Sequence, residues 1–263
     1  KEKSKGREIK VVYSPFNALE IAEKNTDKNI IFLGIGFETT SPIVSSTIKI
    51  AKKKKIKNFS VFSGHKLIPP AMETLLKDGE VKIDGFICPG HVSTIIGKKP
   101  YNFIAENYNI PCVIAGFEPL DIVESIYILI EKIISKQKAE IIIQYKRAVK
   151  EDGNKIAIRN MKDVFEEVNS EWRGIGNIEK SGLEIREKFD EFNTEKKFKV
   201  KIPEIKKENS CICGEILKGT KKPFDCKLFA KNCNPENPVG PCMVSSEGTC
   251  SAYYKYEIAL QST

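Results

Sequence analysis

Long apolar runs are scarce in this chain of 263 residues. The longest, at positions 126–134, is interrupted by Glu131 and Lys132, so no run reaches the length of a membrane span. No C-x-x-C occurs anywhere, which counts against a zinc ribbon or finger. No G-x-G-x-x-G opens a helix and no G-x-x-x-x-G-K-[ST] is present. Gly34-Ile35-Gly36 alone is too short a pattern to imply a dinucleotide. No signal peptide is visible, which together with a sizeable α/β part argues against a small secreted disulfide scaffold. The chain begins with Lys rather than Met, so a leading portion is expected outside it.

What is present fits a globular protein of one large domain or two small ones. Hydrophobic residues make up 41% and charged residues 30%. The net charge of +8 includes a lysine run at 52–55. No aromatics interleave with that run, and it falls at a helix end where cations are favoured, so no nucleic-acid partner is expected.

Six of the eight cysteines crowd the C-terminal stretch: Cys211, Cys213, Cys226, Cys233, Cys242 and Cys250. Gly and Pro interrupt this stretch throughout, and it buries too little apolar surface to hold itself together. Three devices are available to it: disulfides, a structural zinc, or an iron–sulfur cluster. Long, irregular spacings in a Gly- and Pro-rich loop favour the cluster. Spacing singles out Cys211, Cys226, Cys233 and Cys250 as one set of four without settling the choice. Cys213 and Cys242 then read either as inert thiols or as a dithiol pair beside the cluster, converting single electrons into the two a disulfide needs.

Upstream, strand and helix patterns alternate. Strands are expected at 9–13, 29–35, 59–62, 84–88 and 111–115, and helices after Ser14, over 42–54 and 70–76, and from the end of GFEPLD to about Lys136. The run at 29–35 reads as a strand buried on both faces. Such alternation implies α/β architecture with parallel sheet, in two duplicated lobes if the repeated Gly-Phe-Glu at 36–38 and 116–118 is real. The segments GFETT, SGHK, CPGHVS and AGFEPLD follow strands, at the carboxyl ends where α/β proteins bind ligands. Glu38, Thr39, His65, His91 and Glu118 are therefore the candidate binding residues. Each glutamate has a plainer reading as a helix-capping carboxylate. Cys88 and Cys112 read as buried thiols, with Cys88 activated if a protonated His91 lies beside it. Further on, a turn is expected at Asp152-Gly153, helices over 155–168 and 183–189, a packing role for Trp172, and a charged linker at 195–208. The resulting division is an α/β domain over 1–145, a connecting region over 146–203 and a cysteine module over 204–263.

The strings CGEILKG, KPFDC and NPVGPCMVSSEGTCSAYYKY resemble the C-terminus of the HypD hydrogenase maturation proteins. GFETT, SGHKLIPPAM, DGFICPGHVSTIIG and PCVIAGFEPLDI resemble motifs of the same family, so the likeness spans nearly the whole chain. It implies a 4Fe-4S cluster on Cys211, Cys226, Cys233 and Cys250, and a redox-active pair in Cys213 and Cys242. It also implies a cytoplasmic assembly scaffold, rather than a conventional turnover enzyme, that helps build the iron centre of NiFe-hydrogenases, Fe(CN)2CO. The implied partners are a small HypC-type chaperone and a HypE-type cyanide donor. Family members carry further cysteines in an N-terminal portion, a CGTH-type cysteine and a GPGCPVC-type pair, which this chain does not show. A disulfide reductase using the same pair, or a zinc-stabilised interaction module, remain the competing readings.

Overall fold

A computed structural model describes residues 3–77, 79, 81–199 and 210–257. In chain order the elements are α1 (Pro15–Lys24), β1 (Ile30–Gly36), α2 (Ser41–Lys53), β2 (Phe59–His65), α3 (Ile68–Lys77), β3 (Phe86–Cys88), α4 (Gly90–Ile96), α5 (Asn102–Tyr108), β4 (Cys112–Ile114), α6 (Pro119–Ser135) and β5 (Ile141–Ile143). They continue with α7 (Lys155–Val164), β6 (Phe165–Trp172), β7 (Gly176–Ile185), α8 (Thr194–Phe198), α9 (Cys213–Leu217), α10 (Pro241–Val244) and α11 (Thr249–Ala252). This is the expected mixed α/β alternation with parallel sheet. It divides into two compact units: Lys1–Lys66 with Asn154–Glu167 and Gly182–Lys201, and Leu67–Gly153 with Val168–Ser181 and Ile202–Thr263. The division after Lys66 falls inside the stretch 1–145.

The first unit is built on β1 and β2, which pair in parallel from Ile30 opposite Phe59 to Gly36 opposite His65. Helix α1 starts where Ser14 Oγ accepts the Phe16 N–H at 3.2 Å, and Pro15 supplies a ready-made first-turn φ. Its buried residues Ala18, Leu19 and Ala22 form one stripe. Two expectations fail here. Residues 9–13 form no strand, because Val11 and Tyr13 are fully solvated and have nothing to pair with among the described residues. Strand β1 is covered on one face only: Ile31, Leu33 (63% exposed) and Ile35 (69%) all point to the other, since alternate side chains leave a strand on opposite sides.

In the second unit β3, β4 and β5 pair in parallel, in that order. Tyr101, Ile104, Cys112, Ile114 and Ile141 are buried in its core together with Cys88. Helix α6 packs inward through Asp121, Ser125 and Leu129, while Leu120, Val123, Tyr127, Ile130 and Ile134 remain exposed along the other side. The Asp152-Gly153 turn forms as expected, with Gly153 at φ 64°. Cys88 is no activated thiol: a hydrogen bond with Cys112, then burial, push its pKa well above the usual thiol value.

Strands β6 and β7 form a hairpin closed by the turn Ile175 N–H to Trp172 O, at 3.1 Å. Helix α7 stops at Val164, short of the expected 168, because the chain turns extended at Phe165. The helix expected at 183–189 is instead the end of β7 followed by a 3-10 segment, Glu187–Phe192. Leu183 and Ile185 are both buried on one side of an extended chain, and the Leu183 carbonyl accepts Ser63 Oγ at 2.7 Å. The charged stretch 195–208 begins inside α8, and positions 200–209 lie outside the described residues.

Ser14→Ala removes the α1 cap, and the expected cost is about 1 kcal/mol of stability. Urea denaturation followed by circular dichroism checks it, with Ser46→Ala within α2 as the non-capping comparison.

Candidate metal centre

The cysteine-rich segment folds as short helical turns joined by Gly and Pro. Helix α9 begins at Cys213, α10 carries Cys242 behind Pro241, and α11 carries Cys250 behind Thr249. Cys213, Cys226, Cys233, Cys242 and Cys250 are buried in one cluster with Ile216, Phe229 and Met243, and half-buried Cys211 packs against it. Aromatic rings cover this patch: Phe224 stands edge-on to Phe229 and Tyr253, at 5.3 and 5.9 Å between centroids. All eight cysteines of the chain are free thiols.

Within the cluster, Cys242 lies between two neighbours. Its Sγ is 3.3 Å from Cys250 Sγ. Side-chain hydrogen bonding with Cys213, then with Cys250, holds Cys242 below the usual thiol range. The same bonds, followed by burial, push Cys213 and Cys250 up, and burial pushes Cys211 up. The structure thus brings Cys213 and Cys242 together, and it places Cys250 against the same pair. Cys233 Sγ accepts the Val239 N–H at 3.3 Å. Gly240 faces Cys211 so closely that a Cβ there would lie 2.5 Å from its Sγ. Among the described residues, no three His, Cys, Asp or Glu side chains converge as a single ion's ligands would.

The strand-end residues fall on two separate sheets. In the first unit Glu38 is buried between β1 and α2, and Thr39 beside it is exposed. His65 is the last residue of β2 rather than a loop residue, and it is 1% exposed. Gly34 on β1 makes room for it: a Cβ there would come within 2.8 Å of the His65 ring. Nδ1 of His65 lies 3.2 Å from Ser63 Oγ, while Nε2 has no hydrogen-bond partner among the described residues. Burial lowers its pKa from 6.5 to about 4, so the ring is neutral at neutral pH.

In the second unit His91 is exposed and stacks on Phe117, with centroids 3.8 Å apart and planes at 23°. Glu118 is the residue before the first turn of α6, as the capping reading expects. Its N–H donates to Asp121 Oδ2 at 3.1 Å. Arg147 grips Asp121 through two nitrogens, at 2.8 and 2.5 Å, and lies 3.4 Å from Glu118. Gln144 donates to Asp121 and accepts the Gly116 N–H. Hydrogen bonds from Arg147 and then Gln144 hold Asp121 far below the usual carboxylate range. Arg147 and Gln144 escape a motif-based reading. Their signal is positional, since both follow β5 directly and so stand at the same carboxyl edge as His91 and Glu118. Trp172 has the expected packing role, half-buried with Nε1 donating to Ser181 Oγ at 2.8 Å.

Parallel α/β units followed by six clustered free thiols, five buried and one half-buried, define an α/β protein with a cysteine-rich C-terminal region. The family model for HypD, described as the hydrogenase formation hypA family, matches residues 1–257. This chain belongs to the HypD family. Over 97% of its length it is 45% identical to the hydrogenase maturation factor HypD2 of Bradyrhizobium diazoefficiens, of which it covers 69%. It is 44% identical to the hydrogenase maturation factor HypD of Cupriavidus necator, again over 97% of this chain and 69% of the relative. A putative hydrogenase expression/formation protein of Methanocaldococcus jannaschii is 44% identical over 97% of this chain and 71% of its own length. No helix among the described residues is long and apolar enough to cross a membrane.

Two outcomes are expected from this geometry. Gly240→Ala forces a methyl group into Cys211 Sγ, and thiol-specific labelling followed by mass spectrometry will find Cys211 more reactive than in the parent chain. His65 has a lowered folded-state pKa, so the unfolded chain takes up a proton first as pH falls. Stability is therefore lost between pH 6.5 and about 4, by about 3 kcal/mol, and no further below that window on this residue's account. Urea midpoints across that range will show the slope, and His65→Gln will flatten it.

Proposed function

We propose that this chain is an iron–sulfur scaffold of HypD type, on which an iron atom acquires cyanide and carbon monoxide ligands before transfer to a hydrogenase. The observation that carries this reading is the gathering of six free thiols, five buried and Cys211 half-buried, into one patch of a HypD-family chain. Three features support a 4Fe-4S cluster: the six sulfurs lie in one cluster, a backbone N–H already points at Cys233 Sγ, and the missing side chain at Gly240 leaves space against Cys211 Sγ. Backbone donors to sulfur are among the means by which proteins tune such clusters. In this reading Cys211, Cys226, Cys233 and Cys250 hold the cluster, which when bound supplies single electrons.

Cys213 and Cys242 then act as the dithiol pair. Closing their disulfide releases two protons and two electrons, and two single-electron steps reopen it. Before a cluster is bound, hydrogen bonding with Cys213 and Cys250 makes Cys242 the acidic thiol of the set; with Cys250 on the cluster, Cys213 is the thiol left to support it, and a thiolate is the form that attacks a disulfide. Phe229 and Tyr253 pack with the buried thiols, and Phe224 stands edge-on to both rings. Exposed Thr39 in the first unit, and exposed His91 and Glu118 in the second, are each offered to the iron complex or to the proteins that bring and take it: a HypC-type chaperone and a HypE-type cyanide donor, in the cytoplasm. Buried Glu38 and neutral His65 support the first of these edges from inside.

Anaerobic purification, iron and sulfide analysis, and electron paramagnetic resonance before and after dithionite test the reading. About four irons and four sulfides per chain with a reduced-state signal are expected; one zinc and no sulfide would sink it and leave a zinc-stabilised interaction module. Cys213→Ser and Cys242→Ser are expected to keep the cluster and slow reduction of a partner disulfide. The Sγ contact between Cys242 and Cys250 makes the second variant the sharper one, since loss of iron there would exchange the roles of these two residues.

A further inference from the structure

The tip of the β6–β7 hairpin meets the cysteine-rich segment at one place. Arg173, in the turn, donates from its guanidinium to the Val239 carbonyl. Gly174 beside it has φ 87° and faces the same loop: a Cβ there would lie 3.2 Å from Pro241 Cγ and 3.5 Å from Cys213 Cβ. Across this contact, a Cβ on Gly214 would lie 3.0 Å from the Gly174 carbonyl. The hairpin tip and the thiol loop therefore touch backbone to backbone.

The peptide that Arg173 holds lies between two sulfurs. On its amino side the Val239 N–H donates to Cys233 Sγ at 3.3 Å. On its carboxyl side Gly240 packs against Cys211 Sγ, with no room for a side chain. A shift of the Val239–Gly240 peptide would break the first contact and open the second together. Long arginine side chains on a surface ordinarily extend into water, because ordering them costs side-chain entropy. Here that cost is offset by a charge-assisted hydrogen bond to a carbonyl.

We propose that Arg173 is a positioning residue for the metal-bearing thiols. By holding the Val239–Gly240 peptide it sets the spacing between Cys211 and Cys233, and its guanidinium brings a positive charge to the loop that packs against both sulfurs. The identity of the bound group rests on the cluster reading above; the contact itself does not. Outer-shell groups of this kind orient ligands and tune the metal, and their loss costs about 10–100-fold in metal affinity. A cation beside a cluster favours its more electron-rich state, since net charge and hydrogen bonds to sulfur help set the reduction potential.

The full chain and its Arg173→Ala, Arg173→Gln and Arg173→Lys variants separate these effects. After anaerobic reconstitution with iron and sulfide, Arg173→Ala is expected to lose iron to a chelator about tenfold faster than the parent and to titrate at a more negative midpoint. In the metal-free, reduced chain, iodoacetamide followed by mass spectrometry will find Cys211 and Cys233 alkylated several-fold faster. Arg173→Gln, a donor without charge, will restore the alkylation rates but not the midpoint, whereas Arg173→Lys will restore both in part. Circular dichroism confirms that the variants are folded. An Arg173→Ala chain indistinguishable from the parent in iron release, midpoint and alkylation overturns the proposal. A parent chain that takes up no iron and sulfide overturns the cluster reading instead, and alkylation of the metal-free chain still decides the role of Arg173.

Discussion

Six thiols packed into one patch can share very little negative charge, and much of the cysteine-rich end follows from that constraint. Cys242 shares hydrogen bonds with Cys213 and Cys250, and its ionisation makes theirs harder. Burial works in the same direction on Cys211. Without a cation, Cys211, Cys213 and Cys250 are thus held neutral around one acidic member, Cys242. A metal group that needs several thiolates must displace protons as it enters, so its uptake is coupled to proton release. The segment has few large apolar residues of its own with which to resist the rearrangement this brings. Support comes from Met243, Phe229 and their aromatic neighbours inside, and from the hairpin tip outside.

The two parallel sheets finish their carboxyl edges in opposite ways. At β1 and β2 the edge is desolvated: His65 is enclosed, Gly34 is reduced to backbone to admit its ring, and the imidazole is kept neutral. At β3, β4 and β5 the edge is wet and charged. Asp121 gathers Arg147, Gln144 and the Glu118 N–H, and His91 rests on Phe117 in solvent. The repeated Gly-Phe-Glu therefore does not carry one chemistry twice. Glu38 is buried between its strand and helix, while Glu118 stands exposed ahead of α6, beside an arginine.

Local signals carried the α/β alternation well. Ser14-Pro15 starts a helix, and the apolar runs before GFETT, SGHK, CPGHVS and AGFEPLD are strands, because each is decided by a few neighbouring residues. Two failures share a cause in longer-range packing. Residues 183–189 have enough apolar and charged residues for a helix, yet Leu183 is fixed as strand by Ser63, which is far away in sequence. Residues 9–13 look like a strand but find no neighbour among the described residues. The cysteine module was legible from composition, whereas its internal arrangement was not: nothing in the spacing places Cys242 between Cys213 and Cys250. Arg147 and Arg173 were equally hidden. A lone arginine carries no motif, and each acquires its role from a partner in a different part of its unit.

The bare side of β1 and the outer stripe of α6 bear on how this chain behaves in a tube. Leu33 and Ile35 on one, and Leu120, Val123, Tyr127 and Ile134 on the other, are apolar surface, and a net charge of +8 opposes its association between copies. Those two influences respond oppositely to ionic conditions. Salt shortens the reach of the repulsion, and sulfate or phosphate strengthens apolar association besides. Ammonium sulfate precipitation would therefore drive the molecule toward disordered aggregates, and dilute chloride buffers well below its isoelectric point are the gentler medium.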